Sequence, residues 1–247
     1  MSPRHPFCSL VLPCYNERPN LAPLMEAFSA ALAGPRWGGS FELIVVDNGP
    51  SDGTSEELAR LAPSFPFLRT VRVEANRGYG YGITAGLKAA RGDYAGWAHG
   101  DLQYEPREIV GAAEMLRGRR GEQVFLKGLR SARPAADSLF TVAMAVFESL
   151  LFGRKLYDIN AQPTLFHRSL LNWWEGAPED FSIDLFAYVL ALEKGFRVMR
   201  VPMMLAPRAA GFSSWNRGFA DRLRVALRTA LGSFAVRRAV RAARLGL

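Results

Sequence analysis

The residues best suited to chemistry lie in the stretch WAHGDLQYEP, residues 97–106. Within it, His99, Asp101 and Gln103 follow an apolar run that is typical of a buried strand. Carboxylate, imidazole and amide groups all bind divalent cations, and Asp101 is the one unambiguous hard oxygen ligand of the three. Such groups at the carboxyl end of a strand predict a site for a charged ligand.

The end of an earlier strand-like run and the loop after it carry two further acidic residues. Asp47 closes the apolar run 41–47, where its side chain would be buried, and a buried carboxylate needs a hydrogen-bonding partner. Asp52 lies in the same loop, DNGPSDGT, where it fits a turn and a helix N-cap as well as a ligand-binding role. This loop therefore belongs to the predicted site.

The glycines of NRGYGYG have two interpretations. Gly78, Gly80 and Gly82 either serve a loop that needs positive φ angles or line a phosphate site. Gly80, Gly82 and Ala85 satisfy the dinucleotide pattern G-x-G-x-x-A, but the pattern follows the third strand-like run and not the first. It is therefore weak evidence for a dinucleotide site.

The elements that position these loops are visible as alternating patterns. Strand-like runs at 7–13, 41–47, 67–73, 93–99 and 123–128 alternate with helical patterns at 20–33, 54–62, 80–90, 106–117 and 137–152. This alternation predicts an α/β fold with a mostly parallel sheet flanked by helices. The apolar segment 139–152 predicts a core helix, with an interfacial surface as the alternative.

Composition limits the class of protein. The longest apolar run, Leu139–Phe147, is far shorter than the roughly 20 residues of a membrane-spanning helix. The N-terminus lacks the features of a secretory signal, so we expect a cytoplasmic chain without a membrane span. Cys8 and Cys14 lie on one predicted strand and cannot bridge, so both are expected to be reduced packing residues.

The net charge is concentrated in the segment 211–247, which carries eight arginines and one acid. Within this segment, apolar residues recur at helical spacing, which predicts a basic amphipathic helix that lies on an anionic lipid surface. Packing of the apolar stripe on the domain is the alternative. The nearly neutral body argues against a nucleic-acid partner. The stripe is Phe219, Leu223, Leu227, Ala230 and Phe234.

Four motifs occur in a fixed order: LVLPCYNE, IVVDNGPSDGT, NRGYGYGITAGLKAARGDY and GDLQYEPREI. Together they resemble the nucleotide-sugar-binding half of family 2 glycosyltransferases, in particular polyprenyl-phosphate sugar transferases of the dolichyl-phosphate mannose synthase type. The resemblance implies a GT-A fold over residues 1–210, with a donor-binding half at 1–110 and an acceptor half at 111–210. The basic segment 211–247 would follow it.

The resemblance also implies roles for single residues. Pro13, Tyr15 and Glu17 match the motif that lines the donor nucleotide, and Asp47 matches the acid that hydrogen-bonds its base or ribose. The implied donor-binding set is Pro13, Tyr15, Glu17, Asp47, Asp52, Gly78, Gly80 and Asp101.

Asp101 and Gln103 match the segment that holds a divalent metal, magnesium or manganese, on the donor diphosphate. The chain departs from the family pattern at two positions: His99 stands where the first aspartate is usual, and Asn48 replaces a common aspartate after Asp47. His99 either joins the metal, which would favour manganese over magnesium, or bonds the donor ribose, or is a buried histidine satisfied within the protein. The sequence leaves these alternatives open.

The acceptor decides which further residues are needed. A phosphate acceptor is already an anion and needs cations, whereas a hydroxyl acceptor needs a general base. Candidate cations are Lys127, Arg130, Arg133 and Arg208, and candidate bases are Asp158, Asp180 and Asp184, of which Asp158 is preferred. The predicted catalytic set is Asp101, Asp158, Arg130 and Arg208.

The predicted function is an inverting transfer of a hexose from GDP-mannose or a UDP-sugar to a polyprenyl (dolichyl or undecaprenyl) phosphate. The chain would act peripherally at the inner face of the membrane, with the need for a membrane-protein partner left open. The alternatives are the same donor chemistry with a hydroxyl acceptor, on a polysaccharide or secondary metabolite, and a catalytically silent sugar-nucleotide-binding protein.

Overall fold

The computed structural model describes residues 5–49, 52–130, 135–204 and 219–245, with the backbone alone over 135–141, 219–227 and 244–245. The strands are β1 (Cys8–Cys14), β2 (Phe41–Asn48), β3 (Leu68–Val73), β4 (Tyr94–Trp97), β5 (Val124–Arg130), β6 (Thr164–His167) and β7 (Arg197–Met203). The α-helices are α1 (Arg18–Ala31), α2 (Thr54–Leu61), α3 (Tyr79–Ala89), α4 (Pro106–Glu114), α5 (Ala135–Phe152), α6 (Ile183–Glu193) and α7 (Phe219–Leu245).

The strands form one sheet in the order β3-β2-β1-β4-β6-β5-β7. β1 pairs in parallel with β2 and β4, and β5 pairs in parallel with β7. β6 is antiparallel to both of its neighbours, β4 and β5, so these two neighbours run in the same direction. The carboxyl ends of β1, β2, β4 and β5 therefore meet at one edge of the sheet, where α/β folds bind ligands.

The five predicted pairs of strand and helix are confirmed. β4 ends at Trp97, two residues before the predicted end, so His99 lies in the loop. The sequence patterns did not predict β6 or β7. β6 has four residues, too few to show a period of its own.

The core lies on both faces of the sheet because side chains alternate along each strand. Leu10 and Leu12 of β1 pack in a cluster with α1 and α4, while Val11 packs in a second cluster with α3 and α6. Cys8 and Cys14 are free and buried in the first cluster, which confirms their interpretation as packing residues.

The predicted C-terminal helix is present as α7, but its described buried face differs from the predicted stripe. Val236 and Val240 are buried in the cluster that includes α6, whereas Phe234 is half exposed. Lys194 donates a hydrogen bond from Nζ to the carbonyl of Ala243, 3.0 Å away, near the end of the helix. The alternative, that α7 packs on the domain, therefore holds for its second half.

The prediction of a core helix at 139–152 is wrong. Val142, Val146 and Leu150 of α5 are 56%, 54% and 79% exposed. Their four-residue spacing places them on one face of the helix. None of the described helices is both long enough and apolar enough to cross a bilayer.

Candidate active site

Three predicted donor-binding acids meet near the end of β1. Burial raises the pKa of the Cys14 thiol, and the nearby carboxylates of Glu17, Asp47 and Asp101 raise it further. These acids come from three different loops, after β1, at the end of β2 and after β4. The sheet edge thus brings together what the sequence placed in separate motifs.

Asp47 has one oxygen ready for a ligand. The side chain is buried, and Ser55 donates from Oγ to Asp47 Oδ2 over 2.6 Å. Asp47 Oδ1 is buried and has no hydrogen-bond partner in the described part of the chain. An unpaired buried carboxylate oxygen is costly, so Oδ1 is a natural acceptor for a base N–H or a ribose hydroxyl.

The hydrogen bond of Asn48 accounts for one departure from the family pattern. Its side-chain amide donates from Nδ2 to the carbonyl oxygen of Gly78, 3.2 Å away. A carboxylate at this position has no proton to donate. The substitution therefore ties the end of β2 to the glycine loop before α3.

Asp52 satisfies both of its oxygens within the protein. Oδ1 accepts from the backbone N and from Oγ1 of Thr54 at 3.1 and 2.6 Å, and Oδ2 accepts from the backbone N of Arg18 at 3.2 Å. Burial acts to raise the pKa of Asp52, but these hydrogen bonds outweigh it and lower that pKa. This supports the turn-and-cap interpretation, and a donor-binding role for Asp52 stays a prediction.

The glycine loop packs closely on the segment 178–180. Gly78 has a φ of 122°, and a Cβ there would collide with the carbonyl oxygen of Glu179. A Cβ at Gly80 would collide with the carbonyl oxygen of Pro178. The described role of these glycines is thus close packing against that segment, and direct contact with the donor stays a prediction.

The other two residues of the first motif take different positions. Pro13 lies near the end of β1, opposite Val46 of β2. Tyr15 is 48% exposed at the sheet edge. An exposed aromatic ring at this edge is available for contact with a ligand, which is consistent with its predicted role.

The predicted metal segment forms a tight turn. Leu102 has a φ of 59°, and the backbone N of Gln103 donates to Asp101 Oδ1 over 3.2 Å. The His99 ring stacks on Tyr79, with centroids 5.5 Å apart and planes 25° apart. Tyr79 in turn stacks on Phe181 at 4.5 Å.

In the described residues, no group of three or more His, Cys, Asp and Glu side chains is arranged for a metal. Mg²⁺ is commonly held by one or two carboxylates together with substrate phosphates, so a single protein carboxylate fits such a site. Asp101 can supply that carboxylate, with Gln103 and His99 as neighbouring candidates. The donor set fits a cation that the nucleotide sugar helps to bind.

A cavity of about 340 Å³ lies beside the carboxyl edge of the sheet, which is the predicted donor site and is here called the donor edge. Gly78 and Tyr79 from the glycine loop line one side of it. Its charged and polar walls include Arg130, Asp158, Asp180 and Arg228, and its apolar walls include Met144, Ile159, Phe181 and Leu185. The cavity thus joins a polar region beside the donor loop to an apolar region between α5 and α6.

Arg130 is held at the wall of this cavity. Its Nε donates to the hydroxyl of Tyr104 over 3.1 Å, and its Nη2 donates to the carbonyl of Asn160 over 2.6 Å. Asp158, two residues before Asn160, has a φ of 47°, a conformation that non-glycine residues rarely adopt. Asp180 accepts from the backbone N of Ser182 over 2.9 Å. The structure therefore brings Arg130, Asp158 and Asp180 to one cavity, and their catalytic roles stay predictions.

Two other candidates are contradicted. Lys127 Nζ lies 3.0 Å from Asp184 Oδ1 and 2.7 Å from Thr164 Oγ1, and Lys127 is fully buried. Asp184 is 2% exposed and also accepts from Gln162. Burial lowers the pKa of Lys127, and the adjacent carboxylate opposes that effect. Lys127 is thus no phosphate-binding cation and Asp184 no general base.

The remaining candidates, Arg133 and Arg208, lie outside the described residues. The sequence interpretation missed Glu148 and Ser233, which also line the cavity. A signal for Glu148 was present, because it is a charged residue that interrupts an apolar helical run. A charge at such a position predicts a buried polar contact.

The profile of the family described as "Glycosyl transferase family 2" matches residues 9–121. This part of the chain, which contains the four sequence motifs, is similar to that family. A dodecaprenyl-phosphate galacturonate synthase of Rhizobium johnstonii is 32% identical over 171 residues, which cover 66% of this chain and 48% of the relative. The chain thus spans about half the length of this relative.

An undecaprenyl-phosphate 4-deoxy-4-formamido-L-arabinose transferase of Pectobacterium carotovorum subsp. carotovorum is 30% identical over 216 residues, covering 84% of this chain and 62% of the relative. A mannosyltransferase of Pyrobaculum calidifontis, solved with GDP-mannose and Mn²⁺, superposes with a TM-score of 0.63 at 20% identity. That match covers 97% of this chain and 74% of the archaeal chain. These likenesses confirm the GT-A fold.

Proposed function

We propose that the protein transfers a hexose, with inversion, from a nucleotide-diphosphate sugar to a polyprenyl phosphate at a membrane surface. The observation that carries this proposal is the single cavity that joins the donor loop to cationic and apolar walls. An acceptor with a phosphate head and a hydrocarbon chain matches both kinds of wall. The relatives named for transfer to dodecaprenyl and undecaprenyl phosphate support the same acceptor class.

On the donor side, the unpaired Oδ1 of Asp47 accepts a hydrogen bond from the base or ribose of GDP-mannose or a UDP-sugar. Asp101 would hold a divalent cation, Mg²⁺ or Mn²⁺, which stabilises negative charge on the leaving diphosphate. Asn48 fixes the glycine loop that separates the donor from the acceptor cavity. These contacts orient the sugar carbon C1 toward the cavity.

On the acceptor side, a phosphate oxygen attacks C1 from the face opposite the diphosphate. The C1–oxygen bond to the acceptor forms as the bond to the nucleoside diphosphate breaks, so the configuration at C1 inverts. The acceptor is already an anion and needs positioning by positive charge. Arg130 and Arg228 supply that charge at the cavity wall, and Arg208 is a further candidate outside the described residues.

The membrane role is argued from an exposed apolar surface on the side of α5 that faces away from the cavity, here called the α5–α7 surface. It comprises Val142, Val146 and Leu150 of α5 with Leu231 and Phe234 of α7. Phe147 and Phe234 bring the two helices together, with ring centroids 6.1 Å apart. The exposed arginines Arg238 and Arg241 of α7 add a charge that favours anionic lipid.

A hydroxyl acceptor is the second candidate, because Asp158 and Asp180 line the same cavity. Either carboxylate would then act as the general base that a hydroxyl needs. The two functions predict different outcomes for substitutions of Arg130 and Asp158. A charge needed for a phosphate is lost in Arg130→Ala, whereas a base needed for a hydroxyl is lost in Asp158→Asn.

The test measures transfer from a panel of GDP- and UDP-sugars to farnesyl phosphate in detergent, with Mg²⁺, Mn²⁺ or EDTA. We expect lipid product that is lost with EDTA, and Arg130→Ala should raise the KM for farnesyl phosphate about tenfold or more. Asp158→Asn should keep most activity, as should the surface control Arg60→Ala. Absence of lipid product with every donor, despite measurable nucleotide-sugar binding, would refute the phosphate acceptor.

A further inference from the structure

Glu148 is a buried carboxyl group in the acceptor cavity that the proposed chemistry does not use. It is 5% exposed and lines the cavity together with Met144 and Ala145 of the same helix. The exposed residues Val146 and Leu150 lie on the other side of α5. The helix therefore exposes an apolar face to solvent. Glu148, the one carboxyl side chain in its described part, faces the cavity.

Ser233 of α7 is the hydrogen-bonding partner of Glu148. Its Oγ donates to Glu148 Oε1 over 3.1 Å and lies 3.0 Å from the carbonyl oxygen of Thr229. A hydroxyl has one proton, so Ser233 shares it between these two acceptors. Ser233 therefore offers Glu148 a shared hydrogen bond but no charge that would compensate an ionised carboxyl group.

The burial of Glu148 favours its protonated form. Burial raises the pKa of Glu148 to about 7, although the hydrogen bond with Ser233 acts to lower it. Among the described residues, no charged group offsets the effect of burial on that pKa. The ionisable groups that share the cavity are Tyr79 of the glycine loop, Arg130 of β5, Asp158, Asp180 and Arg228 of α7.

We propose that Glu148 is a neutral hydrogen-bonding group of the acceptor cavity, and that its ionisation opposes binding of a phosphate-bearing acceptor. This inference rests on the proposed function of the cavity. A carboxylate and a phosphate in one partly desolvated cavity repel each other, so the bound acceptor favours protonated Glu148. The same residue joins α5 to α7 through Ser233, and it therefore senses the acceptor and shapes its site.

The first experiment measures the Kd of farnesyl phosphate by calorimetry between pH 6 and pH 8.5, for wild type and Glu148→Gln. If ionised Glu148 excludes the acceptor, the wild-type Kd rises about tenfold from pH 6 to pH 8 beyond the change seen in Glu148→Gln. The second ionisation of the phosphate itself, near a pKa of about 6, affects both proteins equally. A Kd with the same pH dependence in both proteins would overturn the inference.

Two further variants separate charge from folding. Ser233→Ala keeps the carboxyl group and removes the partner that lowers its pKa, so the midpoint of the Kd profile should move to higher pH. Glu114→Gln removes a carboxylate that pairs with Arg36 and Arg117 and does not line the cavity, so it should leave the profile unchanged. A midpoint that stays fixed in Ser233→Ala would contradict the assignment to Glu148.

A readout without any acceptor tests the proton directly. Infrared difference spectra should show a carboxylic acid carbonyl band that titrates near pH 7 in wild type and is missing in Glu148→Gln. Its absence from wild type at pH 6 would overturn the inference. If the Kd depends on pH as expected but no donor yields product, the proposed function alone fails. If product forms while the Kd difference is missing, the Glu148 inference alone fails.

Discussion

The donor edge and the acceptor cavity are built in different ways. At the donor edge, each acidic ligand candidate lies in or shortly after the last residues of a strand, and parallel strands bring these positions together. The acceptor cavity collects its walls from positions as far apart as Gly78 and Ser233. The sheet alone determines the first site, whereas the second depends on how helices and loops pack over it.

The polar contacts beneath the two sites differ accordingly. At the donor edge, Asp52 accepts a hydrogen bond from the backbone N of Thr54, two residues away. Under the acceptor cavity, Lys127 pairs with Asp184, 57 residues away, in complete burial. Substitutions at the donor edge should therefore reduce chemistry while sparing stability, and substitutions beneath the acceptor cavity should do the reverse.

The largest expected effect is on stability and follows from Lys127→Met. Removing one partner of a buried ion pair leaves Asp184 charged and unpaired, so the free energy of unfolding should fall by about 3–5 kcal/mol. The double variant Lys127→Met with Asp184→Leu should recover most of that loss because no charge remains buried. Urea unfolding followed by circular dichroism measures both, and a loss below about 1 kcal/mol in the single variant would contradict the contrast between the sites.

The next effect is on chemistry, from Asp101→Ala at the donor edge. Loss of the carboxylate that would hold the cation on the leaving diphosphate should lower kcat/KM by about 10²–10³-fold. The melting temperature should change little because Asp101 is partly exposed and lies in a loop. Steady-state transfer with saturating Mn²⁺ gives the comparison. Activity within threefold of wild type would remove Asp101 from the metal site.

The difference between the two sites also explains which features could be predicted from the sequence. The proximity of Glu17, Asp47 and Asp101 was predictable because each closes or follows an apolar run, and the fold brings such positions together. The five strand–helix pairs were predictable from the same alternation. The role of Asn48 was not, because its hydrogen bond to Gly78 depends on how the loop folds back.

The acceptor half was harder to predict because burial there comes from tertiary packing. From the sequence, Lys127 and Asp184 were expected to be accessible charges. In the structure, they form a buried ion pair between β5 and α6. The apolar helix α5 looked like a core element, yet its outer face is exposed. Both errors arise because residue type indicates the tendency to be buried but not which face is covered.

A substitution of His99, at the donor edge, should have the smallest effect, a change in metal preference. His99→Asp would place a second carboxylate near Asp101, and carboxylate oxygens suit Mg²⁺ better than imidazole does. The ratio of kcat with Mn²⁺ to kcat with Mg²⁺ should then fall by about tenfold, whereas His99→Asn, which adds no charge, should not produce that fall.

The stacking of His99 on Tyr79 suggests an alternative role for His99, which the same experiment tests. The stack is part of a row of rings that continues to Phe181 at the cavity wall. If His99 serves that stack and not the cation, both variants should weaken transfer to a similar extent and leave the metal ratio unchanged. An unchanged ratio in His99→Asp would thus assign the histidine to the border between the two sites, where the donor sugar meets the acceptor.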